Sequence, residues 1–214
     1  MNTAFDRDDE VFMLETDRLL LRGWHEDDLH AWIEMNADAD VRRYFPDLLT
    51  PETAIDRALS YQEELIENGF GLWAVQTTTA IAYADAADRP SLLPPNSFIG
   101  FIGLHRMDPD VPRLEDGTAV AYELGWRLAK EAWNQGLATE GAMAARDYAF
   151  GIERLPVVGS FTTAENAPSR RVMEKVGMRL SVEFTHPDLP QGYENCVLYS
   201  MSAQDWNRTH ASED

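Results

Sequence analysis

The residues from Tyr122 to Phe150 constrain this chain most, because one run combines a strand, a glycine turn and a helix. Tyr-Glu-Leu-Gly-Trp-Arg-Leu is followed by Ala-Lys-Glu-Ala and then by Trp-Asn-Gln-Gly-Leu-Ala-Thr-Glu-Gly. Such a turn aims several backbone N–H groups at one point, and the helix dipole adds positive potential there. Gly136 and Ala138 carry little side-chain bulk, so a phosphate could approach the main chain closely. No Gly-Lys-Ser/Thr follows the turn and no G-x-G-x-x-G follows the strand, which disfavours a nucleotide triphosphatase or a dinucleotide dehydrogenase.

A second stretch, residues 165 to 178, reads Glu-Asn-Ala-Pro-Ser-Arg-Arg-Val-Met-Glu-Lys-Val-Gly-Met. Together the two runs resemble the GCN5-related N-acetyltransferases, in the branch of the ribosomal-protein alanine N-acetyltransferases. The first resembles that family's R/Q-x-x-G-x-G/A loop, with Trp133 in place of the leading Arg or Gln. The second matches the branch's E-N-x-x-S-x-R-V-x-E-K-x-G-F/M, and Leu14 to Arg22 resembles its opening L-x-T-x-R-L-x-L-R. The resemblance implies an α/β fold: a mixed, mostly antiparallel sheet flanked by helices, in a single domain, with a V-shaped splay between the central strands.

Length and composition fit one domain, expected over residues 14–207 with tails at 1–13 and 208–214, the first of them mobile. No apolar run approaches the roughly 18 residues of a membrane span, and the acidic start Met1 to Glu10 lacks signal-peptide character, so a cytoplasmic protein without membrane contact is expected. A net charge of −19 argues against nucleic acid, which needs clustered Lys and Arg. That field either attracts a cationic amine or simply keeps an acidic surface solvated. Cys196 is the only cysteine, which excludes an internal disulfide and leaves no metal-ligand spacing; it reads as a small buried hydrophobe.

Along the chain, Leu14 to Arg22 reads as a first strand and Glu26 to Asn36 as an amphipathic helix. Thr50-Pro51 marks the next helix start and Gly69 its stop. Phe70 to Gln76 and Phe98 to His105 read as strands, and residues 77–97 between them as an inserted loop of turn and breaker chemistry, a flap, an arm or a disordered connection. Ala138, Ala142, Ala145, Ala149 and Ile152 form a stripe of mostly small residues on the helix after the glycine turn. Val157 to Thr163, Leu180 to Phe184 and Asn195 to Met201 supply the last strands, and a helix from about Pro168 to Val176 ends at Gly177.

The resemblance implies acetyl-coenzyme A as co-substrate, with no metal. Its pyrophosphate would lie on the amides of Gln135, Gly136, Leu137, Ala138 and Thr139, and its pantetheine along Gly125 to Leu128. An amide near Trp126, Arg127 and Leu128 would polarise the thioester. Asn166 would hydrogen-bond the pantetheine and Arg171 a phosphate, with Arg170 solvated. Trp32, Tyr44 and Phe45 would line the amine side, or else belong to the core. Glu123 is the candidate base, against a reading as a strand carboxylate that faces solvent or forms a salt bridge, and His105 is the alternative base. Many family members place a Tyr where this chain has Met173, so Ser169 becomes the candidate thiol partner, unless it only caps its helix. Two functions follow: acetyl transfer to a primary amine, on a protein N-terminus or a small molecule, by direct attack in a ternary complex, or a coenzyme-binding module without catalysis. Either suits a monomer or a homodimer.

Overall fold

The structure, a computed structural model, describes residue 5, residues 11–85, residue 87 and residues 89–210. Most of the tail expected at 1–13, and residues 211–214 of that expected at 208–214, lie outside the described residues. The architecture is mixed α/β, with a mostly antiparallel sheet and helices beside it. The chain forms two compact units, residues 1–103 with 125–144, and residues 104–124 with 145–214.

The first unit opens with β1 (Leu14–Glu15) and β2 (Leu19–Arg22), which pair antiparallel, Leu14 opposite Leu21. The single strand expected over 14–22 is therefore a tight hairpin, closed where Thr16 N donates to Leu19 O. A short 3-10 turn at Glu26–Asp28 precedes α1 (Leu29–Ala37), and α2 spans Pro51–Asn68. The limits of α2 are chemical: Thr50 Oγ1 accepts from Thr53 N at 3.2 Å, Pro51 fills the first turn, and Gly69 closes the helix at φ 76°. β3 (Leu72–Thr77) pairs antiparallel with β2 and with β6 (Phe98–Arg106). Between them, the stretch read as a loop folds as a hairpin of its own, β4 (Ile81–Ala84) against β5 (Pro90–Leu93). Pro90 tolerates this because it starts the strand and β5 has no second neighbour to donate to.

The core of this unit is aromatic. Trp24 and Trp32 meet edge to face at 5.1 Å, and Tyr61, Phe98 and Phe101 complete the cluster. Buried indole nitrogens need acceptors, and they have them: Trp24 donates to Leu72 O and Trp32 to Ala54 O, each at 2.8 Å. Trp32 is fully buried, so the expectation that it lines the amine side is corrected to a core role. Arg22 and Asp28 form a buried two-pronged ion pair at 2.7 and 2.8 Å, which ties β2 to the turn before α1.

In the second unit, β8 (Val157–Thr163), β10 (Asn195–Ser202) and β9 (Arg179–Thr185) pair antiparallel in that order. β7 (Tyr122–Leu128) joins β8 in parallel through one register pair, Glu123 opposite Gly159, among the described residues. α4 (Ala167–Val176) begins at Asn166, whose Oδ1 accepts from Ser169 N at 3.2 Å, and ends at Gly177. α3 (Leu137–Gly151) contributes its first half to one unit and its last turns to the other. Ala142, Ala145 and Ala149 of its small-residue stripe are buried, whereas Ile152 lies past the helix end and is exposed. A final helix, α5 (Ala203–His210), was not foreseen; Trp206 stacks on Phe150 at 5.7 Å and donates to Asp147 at 2.7 Å.

Candidate active site

The turn before α3 is built from residues whose side chains spend themselves holding it. Trp133 Nε1 donates to Leu128 O at 2.8 Å, and Gln135 Nε2 donates to Glu131 O at 2.9 Å. Asn134 and Gly136 both have positive φ, 61° and 80°, a conformation that glycine takes without penalty. A Cβ at Gly136 would meet only Arg18 Nη2, at 3.7 Å, so there is room beside this residue. The first bond along α3 runs from Glu140 N to Gly136 O at 2.9 Å. The amides of Leu137, Ala138 and Thr139 therefore precede every intrahelical acceptor, and among the described residues they meet none. Three free donors at a helix N-terminus beside an unobstructed glycine fit a phosphate-bearing group.

Arg18 is a member of this site that motif reading alone left unassigned. Its Nη1 donates to Gln135 O at 3.0 Å and its Nε to Glu140 Oε2 at 2.7 Å, while Glu140 Oε1 accepts from Thr16 Oγ1 at 2.6 Å and from Arg18 N at 2.9 Å. The β1–β2 turn is thus fastened to the glycine turn. Thr16 and Arg18 are the polar positions of the L-x-T-x-R opening, which was the available signal. Burial pushes the Glu140 carboxyl up, but the hydrogen bonds from Thr16 and Arg18 outweigh it and hold the group below the ordinary carboxylate range.

On the same unit, the Arg127 side chain packs against aromatic rings, 4.2 Å over Phe45 and 5.4 Å over Phe101. Its Nη1 donates to Asn36 Oδ1 at 2.9 Å. Phe45 is 37% exposed and Tyr44 half-buried, so these two, unlike Trp32, remain at a surface. Trp126 is half-buried and Leu128 buried.

In the second unit both candidate bases meet. His105 Nε2 stands 3.2 Å from Glu123 Oε1, with Glu123 only 7% exposed and His105 more open to solvent. Of the two competing readings of Glu123, the solvent-facing one is corrected, because the carboxylate is buried; the paired one fits its contact with His105. Asn166 caps α4 and its Nδ2 donates to Thr162 Oγ1 at 2.9 Å, so its amide works within the chain. Because Asn166 is the cap, Ser169 is not, and among the described residues the Ser169 hydroxyl meets no partner. Arg171 is exposed, whereas Arg170, expected in solvent, donates to Ala164 O at 2.9 Å and to the Tyr199 hydroxyl at 3.3 Å. Met173 is fully buried and serves packing. Cys196 is buried, and burial, helped by Glu194, pushes its thiol up to about 11.

Residues 18–179 match the Acetyltransferase (GNAT) domain. This chain belongs to the GNAT family. Among GNAT relatives, the uncharacterized N-acetyltransferase YnaD of Bacillus subtilis (strain 168) is 27% identical over 197 residues, 91% of this chain and 99% of YnaD. A GNAT acetyltransferase structure from Bacillus anthracis superposes with a TM-score of 0.67 at 25% identity, covering 90% of this chain and 99% of the other. The fold is shared as well by the spermidine N-acetyltransferase of Vibrio cholerae, solved with coenzyme A and spermine, at a TM-score of 0.63 and 16% identity over 90% of this chain and 99% of that one. The GNAT domain makes the chain a transferase of the class that moves an acyl group from acetyl-coenzyme A to an amine. Among the described residues no helix is long and apolar enough to cross a membrane, and no group of acidic, His and Cys side chains could hold a metal ion.

Proposed function

We propose that the chain transfers an acetyl group from acetyl-coenzyme A to a primary amine by direct attack within a ternary complex. The observation that carries this is the set of three amides, Leu137 to Thr139, that have no acceptor among the described residues, next to Gly136 with room beside it. These donors, with Gln135 and Gly136, are the residues to hold the coenzyme diphosphate, and Arg171 is free to meet a further phosphate. The coenzyme supplies the activated thioester; the chain's own groups bind, orient and move protons.

Glu123 is assigned as the base that relieves the amine of its ammonium proton. A buried carboxylate 3.2 Å from an imidazole can pass that proton on to His105, which reaches solvent. The unpartnered Ser169 hydroxyl is assigned to the departing thiolate, and Phe45 and Tyr44 to the edge of the acceptor side. Acceptor amines are consistent with the fold's other users: one neighbour is a ribosomal L7/L12 alpha-N-protein acetyltransferase and another a spermidine N-acetyltransferase.

Calorimetric titration with acetyl-coenzyme A tests the first step. Binding is expected for the native chain and not for Gly136→Asp, whose carboxylate would occupy that room and repel a phosphate. Glu123→Gln and Ser169→Ala should keep coenzyme affinity and lower kcat, the former by about 100-fold or more, as for loss of a general base. Unchanged turnover in both variants would discard these two assignments.

A further inference from the structure

Among the described residues, two buried arginines in the first unit have no carboxylate within ion-pair distance. Arg42 is 5% and Arg127 8% exposed, and their guanidinium groups sit on one ring, 4.5 and 4.2 Å from the centre of Phe45. Their partners are neutral: Arg42 Nε donates to Asp47 O at 2.8 Å and Arg127 Nη1 to Asn36 Oδ1 at 2.9 Å. Arg42 Nη1 and Arg127 Nε are buried with no hydrogen-bond partner among the described residues. Arg57, on α2, adds a third positive charge that acts on both.

A buried charge is ordinarily paired, because desolvation costs several kcal/mol per ion and like charges add to it. Burial first, and then the neighbouring guanidinium, lower Arg127 to about 9; burial and Arg57 lower Arg42 as well. The Asp47 carboxylate opposes this at Arg42 more weakly than Arg57 enforces it. The cluster is thus short of negative charge within a chain that has it in excess, at −19 overall. Its outer wall is Phe45, which is part exposed and was already expected at the acceptor side.

We propose that Arg42 and Arg127 form an oxyanion subsite for the acceptor, so that the amine acetylated by this chain also carries a carboxylate or phosphate group. This rests on the acetyl-transfer reading. A paired guanidinium fork suits a delocalised oxyanion, and the acceptor supplies the charge that the fold withholds. Polyamines, which bring only positive charge, are then poor acceptors.

The test compares matched amines on the full chain with acetyl-coenzyme A, following product mass: glycylglycine against glycylglycinamide, and O-phosphoethanolamine against ethanolamine. The anionic member of at least one pair is expected to lead by tenfold or more in kcat/KM, and the winning pair identifies carboxylate or phosphate. Arg42→Gln should cut kcat/KM for that anionic amine by about tenfold to a hundredfold, the scale of one charged hydrogen bond, and leave coenzyme affinity unchanged. Arg127→Lys, which keeps the charge and loses the fork, should do so in part. Equal or better use of the neutral members overturns the subsite while acetyl transfer stands. Absence of coenzyme binding would instead defeat the transfer reading. In that case, or if no amine in the set is used, N-acetylglycine and N-acetylglycinamide are compared at equal ionic strength by their effect on Tm. A larger rise with the anion, lost in Arg42→Gln, supports the subsite; equal effects overturn it.

Discussion

Glu140→Gln should loosen the chain at neutral pH and do so progressively less in acid. The native carboxylate accepts from Thr16 Oγ1 and Arg18 N through one oxygen, and from Arg18 Nε at 2.7 Å through the other. A glutamine of the same shape keeps the first oxygen but turns an NH2 donor toward the Arg18 guanidinium, so donors face donors. Hydrogen bonds to a charged group contribute roughly 1.5–3 kcal/mol each. Arg18 is 37% exposed and its ion pair is partly screened, so about 2–4 kcal/mol is the loss to expect. For a chain of this length that is a fall in Tm of roughly 5–12 °C.

The pH dependence follows from the sign of the shift. The Glu140 carboxyl is held below its free value of 4.5, so its contribution is complete above that pH and lost as pH falls through the lower folded value. Urea melts of native and variant chains at pH 7, 4.5 and 3.5 would show the stability gap closing on acidification. A gap absent at pH 7, or one that stays constant down to pH 3.5, would refute the assignment of Thr16, Arg18 and Glu140 as one fastening.

Two other perturbations probe the packing. Cys196, 2% exposed with its thiol raised to about 11, should resist a disulfide-exchange reagent at pH 8 in the folded chain and react at once in denaturant; fast native labelling would contradict its burial. Gly103→Ala would place a Cβ 2.0 Å from Gly71 O, a backbone atom just before the paired strand β3 that cannot rotate away, and should cost roughly 3 kcal/mol or more, read as a Tm fall beyond 6 °C or as insoluble protein.

Where local chemistry decides a structure, the sequence was sufficient. Thr50, Pro51 and Gly69 bound α2 because capping and a left-handed stop need only neighbours, and Gly136 announces its turn for the same reason. What was not legible depended on distant partners. Residues 77–97 look like breaker chemistry, yet Ile81 to Ala84 can pair with Pro90 to Leu93 and fold as a hairpin. Glu123 alone is ambiguous between solvent and site until β6 brings His105 to it. Whether Ser169 caps its helix is open in the sequence until Asn166 is seen to accept from Ser169 N and take that place. Trp32 reads as either wall or core, and the acceptor for its indole N–H, on α2, decides for core.

Among buried charges, the internal partner separates structural groups from those that await a ligand. Arg22 has Asp28, and Arg146 has Val176 O and Asp147. In each of these the charge taken out of water is matched within the chain, which offsets part of its desolvation. Arg42 and Arg127 break that pattern, and they do so against a net charge of −19, where a carboxylate would have been the cheapest residue to place nearby. Had stability been the only requirement, apolar side chains of similar volume against Phe45 and Phe101 would have served as well or better. Retaining two unmatched guanidinium groups is therefore most economically explained by a counter-charge that arrives with the acceptor and departs with the acetylated product.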